Sequence, residues 1–441
     1  MSSTTLTGKQ LAEFSTADTS PRASLIDRAC KRAVLHRLQR ITVGGLRLTD
    51  GLETHEFGAH TRLHVEIKDP KFYRQIVFGG SVGAAEAWIN GHWTTDNLTD
   101  VLRLFLKNRD VMQSLNKHIA RVGGWLNRMA HRLRANSKVG SKRNIAEHYD
   151  LGNGFFQLFL DPTMMYSSAV YEHDDATLEE AAVAKLDRIC RRLKLSPDDH
   201  VLEIGTGWGG FARHAAANFG CRVTTTTISQ EQYKHAKQLI ADEGLEHLVT
   251  VLCEDYRDLT GTYDKLVSIE MIEAVGLEHL ETYFRKCSSL LKPDGAMLIQ
   301  SITIADQIYD SYSRGADFIQ KYIFPGGALP SVSKMLNVVA ANTDMRLTHL
   351  EDIAAHYART LVEWRERFNE QLDEVRLQGF PERFIRMWNY YFCYCEAGFE
   401  ERTTGTSQLV FAKPKSKHET AQNDRVAERI QNQLSVASGG R

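Results

Sequence analysis

From Pro197 onward the chain alternates short apolar runs with helical text, and that alternation leaves few folds open. The runs are "HVLEIG", "CRVTTTTIS", "LVTVLCED", "DKLVSIEMI" and "AMLIQSITI", separated by helix-like segments at Phe211–Asn218, Gln230–Glu243 and Leu277–Leu291. Strand and helix alternating at this pitch predict a doubly wound, mostly parallel sheet covered by helices on both faces. Helical text resumes at Tyr357–Leu377 and Pro381–Gly398, and "SQLVFAK" reads as a last strand. The first strand, Val201–Ile204, runs into Gly205, Gly207, Gly209 and Gly210 before a helix begins. Glycines in such a turn let the backbone approach a ligand at the carboxyl end of the sheet, where open α/β sheets bind cofactors.

The residues around that turn select among cofactors. Glu203 stands two residues before the first glycine, and a carboxylate there suits the cationic aminoacyl end of S-adenosylmethionine better than a pyrophosphate. A dinucleotide site would want an acid for the ribose hydroxyls about twenty residues on. This chain offers Thr226, Thr227 and Ser229 instead, followed by Gln232. After the third strand, "EDYRDL" places Asp255 and Tyr256 where an adenine can be hydrogen-bonded and covered by an aromatic face.

Before the sheet, a helical stretch near Ser24–Leu38, the alternating "ITVGGLRLTDG" and "HTRLHVEIK", and "GGSVGAAEAWINGHW", read as turn glycines around a short helix, make a small α+β domain. The expected division is a polar leader (1–22), this α+β domain (23–108), a basic amphipathic linker (109–143), the cofactor-binding domain (144–413) and a polar tail (414–441). With 441 residues, 42% apolar and 25% charged, the composition excludes collagen, bulk disorder and a disulfide scaffold. No apolar stretch is long enough to span a bilayer, the first twenty residues are polar, and the seven cysteines include no CxxC pair. A cytoplasmic chain with reduced thiols and no metal is expected.

The net charge of −1 conceals a block, because Arg103–Arg143 holds eleven basic residues against Asp110 alone. That block is +10, which leaves −11 on the rest. Within it Trp125, Leu126, Met129 and Leu133 recur at helical spacing, with Arg128, His131, Arg132 and Arg134 between them. Such a segment suits a polyanionic surface, nucleic acid or anionic lipid, or else a solvated linker helix.

Several blocks in fixed order resemble the cyclopropane-fatty-acyl-phospholipid synthases and the related mycolic acid methyltransferases. They are "HYDLGN", "LDPTMMYSSAVY", "VLEIGTGWGG", "TTISQEQ", "EDYRDL", "EMIEAVG", "KYIFPGGALPS" and "YCEAGFEER". The resemblance implies a class I methyltransferase sheet and methyl transfer from S-adenosylmethionine to the double bond of an unsaturated acyl chain in a membrane phospholipid, with proton loss closing a cyclopropane. Tyr166 and Ser167 join the cofactor-binding residues on this reading, and Tyr166, Tyr322, Tyr394, Tyr391 and Phe399 are candidates to stabilise the cation. Within the first block, His148 and Asn153 are read either as covering the cofactor or as capping residues. The resemblance further implies a bicarbonate as bound base at Ser168, Glu273, Gln300, Ile302 and Tyr322. Ser168 stands where the bacterial pattern has Cys, Gln300 where it has His, and Ala274 where it has His. These departures bring the chain closer to the methyltransferase part of plant cyclopropane synthases. If the proton leaves from elsewhere, the same cation gives a methylene- or methyl-branched chain. A methyltransferase for another small-molecule acceptor is the alternative. The region before Asn144 resembles a domain associated with membrane contact and dimerisation, which favours lipid over nucleic acid and places the chain peripherally on the inner face of a membrane.

Overall fold

The computed structural model describes residues 23–60, 63–109 and 151–417. The basic block beyond Arg109, His148 and the end of the polar tail lie outside them. The first helix, α1 (Leu25–Leu38), starts where Ser24 and Asp27 form a reciprocal capping box, and it buries Cys30, Val34 and Leu38. It packs with α2 (Lys71–Ile89) beside a four-stranded sheet of β1 (Gly45–Asp50), β2 (Glu53–Gly58), β3 (Leu63–Ile67) and β4 (Trp93–Thr94), in the order β2-β1-β3-β4. Strand β1 alternates as its sequence predicts, with Leu46 and Leu48 buried around an exposed Arg47. One detail goes beyond the sequence reading and another bears it out. "ETHEFG" is a strand, while α2 breaks at Gly80 (φ 57°, ψ −136°) into two helical halves, the second a short helix between Gly80 and the left-handed Gly91, as the turn glycines predict. A Cβ on Gly83 would fall 1.9 Å from the carbonyl oxygen of Gln75, so the kink closes only over a glycine. Helix α3 (Leu98–Lys107), capped by Asn97, completes this region.

The short α4 (Asn153–Gln157) and the longer α5 (Leu178–Leu193) lead into the large sheet. Its chain order is β5 (His200–Ile204), α6 (Gly210–Phe219), β6 (Arg222–Thr226), α7 (Gln230–Asp242), β7 (Val249–Leu252), β8 (Tyr263–Ile269), α8 (Leu280–Leu290) and β9 (Leu291–Ile304). Then come α9 (Asp306–Tyr312), α10 (Phe318–Tyr322), α11 (Val332–Asn342), β10 (Arg346–Asp352), α12 (Ala354–Glu370), α13 (Leu372–Leu377), α14 (Glu382–Glu400) and β11 (Thr404–Ala412). The seven strands lie in the order β10-β11-β9-β8-β5-β6-β7. Pairing is parallel from β7 through β9, and β11 runs antiparallel to both its neighbours.

Strand periodicity divides the core. Val201, Val267, Leu298 and Val410 pack with α5 and α6 through Leu186, Ile189, Phe211 and Ala215. Their neighbours Leu202, Leu266, Met297 and Leu409 pack on the other face with Tyr283, Phe284 and Met335. Both sides of each central strand are therefore covered, which is why these segments read as unbroken apolar runs. The chain order reverses at β5, so its carboxyl end opens at a topological switch point.

A separate aromatic cluster forms where α4, α12 and α14 meet: Phe155, Phe156, Phe159, Trp364, Phe368, Trp388 and Phe392 are all buried. Helix α14 joins this cluster to the N-terminal region. The Arg386 guanidinium lies 4.3 Å from the centre of the Trp88 ring and donates to the Trp88 and Trp93 carbonyls, while the Trp88 indole donates back to the Arg386 carbonyl. Thr99 on α3 donates to Glu396, and Arg103 pairs with Glu401.

Candidate active site

The turn after β5 is left-handed at Gly205 (φ 104°), Gly207 (φ 53°) and Gly209 (φ 96°). The N–H groups of Gly205 and Thr206 both donate to the Thr226 carbonyl, which ties the turn to β6. A Cβ on Gly210 would come within 2.8 Å of the Thr163 carbonyl and of Met165 Sδ, so the 160–171 segment is packed directly on the turn. At Gly207 a Cβ would meet nothing within 4 Å among the described residues, which leave open space over the middle of the loop. Trp208 donates to Asn153 Oδ1 at 2.7 Å and so brings the start of α4 to the same place.

Glu203 pairs in register with Thr225, whose hydroxyl donates to Glu203 Oε2 at 2.5 Å. Burial pushes the Glu203 carboxyl up to about 8, opposed by the Thr225 bond and by the charge of Lys185. Thr226 donates to the Glu254 carbonyl and Thr227 to Gln232 Oε1, fixing the turn between β6 and α7. Asp255 receives the Arg257 fork through both oxygens, and Tyr256 lies edge-on to Tyr283. These residues fit S-adenosylmethionine. The open turn admits its methionyl end, the buried carboxylate answers its cationic aminoacyl group, and the edge at Asp255 and Tyr256 can receive the adenosyl part.

A second constellation follows β8. Glu270 takes a left-handed φ of 49°, uncommon outside glycine, and both oxygens of its carboxylate accept hydrogen bonds. Oε1 accepts from the Ser168 N–H at 2.9 Å and from Gln300 Nε2 at 2.8 Å, and Oε2 accepts from the Tyr357 hydroxyl at 2.7 Å. Gln408 donates to Gln300 Oε1 at 3.0 Å, which turns the Gln300 amide N–H groups toward Glu270. Glu273, in the 3₁₀ turn Ile272–Ala274, accepts through Oε1 from the Ile302 N–H at 2.5 Å and the Ser301 hydroxyl at 2.9 Å. Its Oε2 is buried with no hydrogen-bond partner among the described residues. Burial and the neighbouring charge of Glu270 push the Glu273 carboxyl up to about 8, and burial raises Glu270 as well. Each of the two residues is half-buried overall.

Between the two constellations runs the 160–171 segment. Tyr166 donates to the Tyr391 hydroxyl and lies 5.3 Å, centre to centre, from the rings of Phe156 and Trp364. Ser167 accepts from Lys185 at 2.7 Å. Lys185 is wholly buried, and desolvation brings its ammonium down to about 8 against the pull of Glu270, Asp161 and Glu203.

The fold thus gathers Ser168, Glu273, Gln300 and Ile302, and adds Glu270, Tyr357 and Lys185, which the sequence reading did not single out. The only signal for Glu270 was its place in "EMIEAVG", three residues before Glu273. Tyr322 is not in this group. Its hydroxyl donates to Glu86 of α2 at 2.6 Å, and Lys321 pairs with the same carboxylate. The expected bicarbonate therefore does not fit as drawn. Glu270 occupies the Ser168 N–H and the Gln300 amide, the Ser168 hydroxyl donates to the Ala169 carbonyl, and Tyr322 is committed to Glu86.

Fold and site define a class I methyltransferase, an enzyme that draws its methyl group from S-adenosylmethionine. The family model for mycolic acid cyclopropane synthetase matches residues 136–409, and the chain belongs to that family. It is 36% identical over 394 residues to the tuberculostearic acid methyltransferase UfaA1 of Mycobacterium tuberculosis, covering 86% of this chain and 90% of that one. To the cyclopropane-fatty-acyl-phospholipid synthase of Escherichia coli it is 37% identical over 355 residues, 79% of this chain and 87% of that one. Among solved structures, the mycolic acid cyclopropane synthase CmaA1 complexed with SAH and CTAB superposes with a TM-score of 0.59 at 32% identity, over 62% of this chain and 98% of that one.

Proposed function

We propose that the enzyme methylates the double bond of unsaturated acyl chains in membrane phospholipids and forms cyclopropane fatty acids. The observation that carries this reading is the buried carboxylate pair Glu270 and Glu273 set beside the aromatic wall of Tyr166, Trp364 and Tyr391, one strand away from the cofactor turn. An alkene is a weak nucleophile, so the chain must hold it in line with the sulfonium methyl, an orientation effect that reaches several orders of magnitude. As the π pair forms the new C–C bond, the C–S bond breaks toward sulfur and positive charge is left on the acyl chain. Aromatic faces stabilise that charge without trapping it, and a carboxylate then receives the proton whose loss closes the ring.

A second reading, supported by the similarity to the tuberculostearic acid methyltransferase and by Ser168, Gln300 and Ala274, keeps the methyl transfer and ends in a methylene-branched chain, or a methyl-branched one after reduction by a partner. Peripheral contact with the inner face of a membrane through the basic block, and a homodimer built on the N-terminal region, belong to the same proposal. Incubation with labelled S-adenosylmethionine and unsaturated phospholipid vesicles, with the acyl chains examined by mass spectrometry and proton NMR, tests it. A gain of one CH₂ with cyclopropane proton signals is expected. Vinylidene signals would transfer the case to the second reading, and no label in the lipid would end both.

A further inference from the structure

Glu270 stands in an expensive position. Its backbone is left-handed, a conformation that is unfavourable for a non-glycine residue, and its carboxylate is taken out of water onto neutral donors. A glutamate needed only to cap a turn would not require a side-chain amide aimed at it. Yet Gln408 holds Gln300 in the one orientation that offers its N–H groups, and Tyr357 reaches in from α12 to the other oxygen. Ser168 and Gln300, which donate to Glu270, are two of the residues at which the family resemblance would seat a bicarbonate. Here a carboxylate of the chain itself lies on them. Among the described residues Oε1 carries two donors and Oε2 one, which leaves a lone pair of Oε2 to take a proton. Lys185, buried nearby, supplies the positive charge that keeps an anion tolerable at this depth.

We propose that Glu270 is the built-in replacement for a bound bicarbonate: it occupies the anion's donors and accepts the proton lost by the methylated acyl chain, so turnover requires no added bicarbonate. The inference rests on the acyl-methylating reading above. In the step, a C–H bond of the transferred methyl group breaks and its electron pair closes the ring. In the branched alternative, a hydride shift along the chain comes first and the pair forms a C=C bond. In either case the proton goes to Glu270, which releases it to water after the product has left.

Turnover on unsaturated phospholipid vesicles, measured in carbon-dioxide-stripped buffer with and without added bicarbonate, is expected to agree within about twofold for the natural enzyme. Glu270→Gly is expected to lose about 10²-fold or more, the usual worth of a positioned base, and to regain much of it with bicarbonate or formate. Glu270→Gln, which fills the space without the base, should lose as much and regain nothing. Melting temperature and S-adenosylmethionine binding by calorimetry establish that each variant is folded. A natural enzyme whose turnover falls severalfold without bicarbonate overturns the proposal, and so does Glu270→Gln at the natural rate. Should no lipid be methylated under any condition, the functional reading has failed, and NMR titration with carbon-labelled bicarbonate still decides this point. Saturable binding to the natural enzyme would refute it, and binding that appears only in Glu270→Gly would support it.

Discussion

At the scale of single residues, burial sets the pH behaviour of the cofactor site. With its carboxyl near 8, Glu203 carries a proton in much of the empty protein at pH 7, whereas a cation bound beside it needs the charged form. Binding of S-adenosylmethionine should then release a proton at pH 7, and affinity should fall as pH drops below 8. Calorimetry in buffers of differing ionisation heat reads that release. Glu203→Gln should abolish it and weaken binding by about 1.5–3 kcal/mol. A binding event that releases no proton in the natural protein would remove Glu203 from this role. The shift also has a stability side: the folded value lies above the unfolded one, so stability present at pH below the ordinary glutamate range is lost as pH rises toward 8. Gly207→Ala separates folding from binding. Its left-handed backbone costs about 1–2 kcal/mol in stability, while the new methyl enters the open space of the loop and should cut cofactor affinity at least about tenfold. The cofactor turn was legible in the sequence because its glycines and its acid are neighbours in the chain. Glu270 was not, since its meaning depends on Tyr357, 87 positions away, and on Ser168, 102 positions away.

Elements were legible to the degree that both their faces are covered. Strands β5, β8 and β9 stand out as apolar runs and β6 as a β-branched one, whereas β2 and β10 expose much of their length at sheet edges and carry no such run. In α2 the turn glycines mark a real break: Gly80 leaves helical geometry, and Gly83 admits the close approach of the Gln75 carbonyl where the second half begins. Where elements meet, aromatic packing dominates. Phe155 on α4 is fully buried, with ring centres 4.7 Å from Trp388 and 5.1 Å from Phe380. Phe155→Ala should cost about 3–5 kcal/mol in denaturant unfolding, the range for emptying a large aromatic from a core. A loss below about 1 kcal/mol would mean that α4 is not anchored there.

On the scale of the whole molecule, two regions with separate sheets are fastened through α14. Arg386→Ala removes the ring stacking on Trp88 and the donors to two carbonyls, and calorimetry should then show the N-terminal region melting before the large sheet, where the natural chain melts as one. A single unchanged transition would show that Arg386 does not couple them. The basic block belongs to this scale too: reversing Arg128, Arg132 and Arg134 should weaken binding to anionic vesicles, most visibly at low salt, and unchanged binding would return the block to a linker role. The place of α14 in the chain has one more consequence. This helix packs against α2 and α3 from the beginning of the chain and against α12 and β11 near its end, yet it begins at Glu382. On the ribosome the N-terminal region is finished first and must wait, with Trp88 and Thr99 uncovered, until nearly the whole chain has emerged. Nascent and truncated chains of this enzyme are therefore the forms that most need a chaperone.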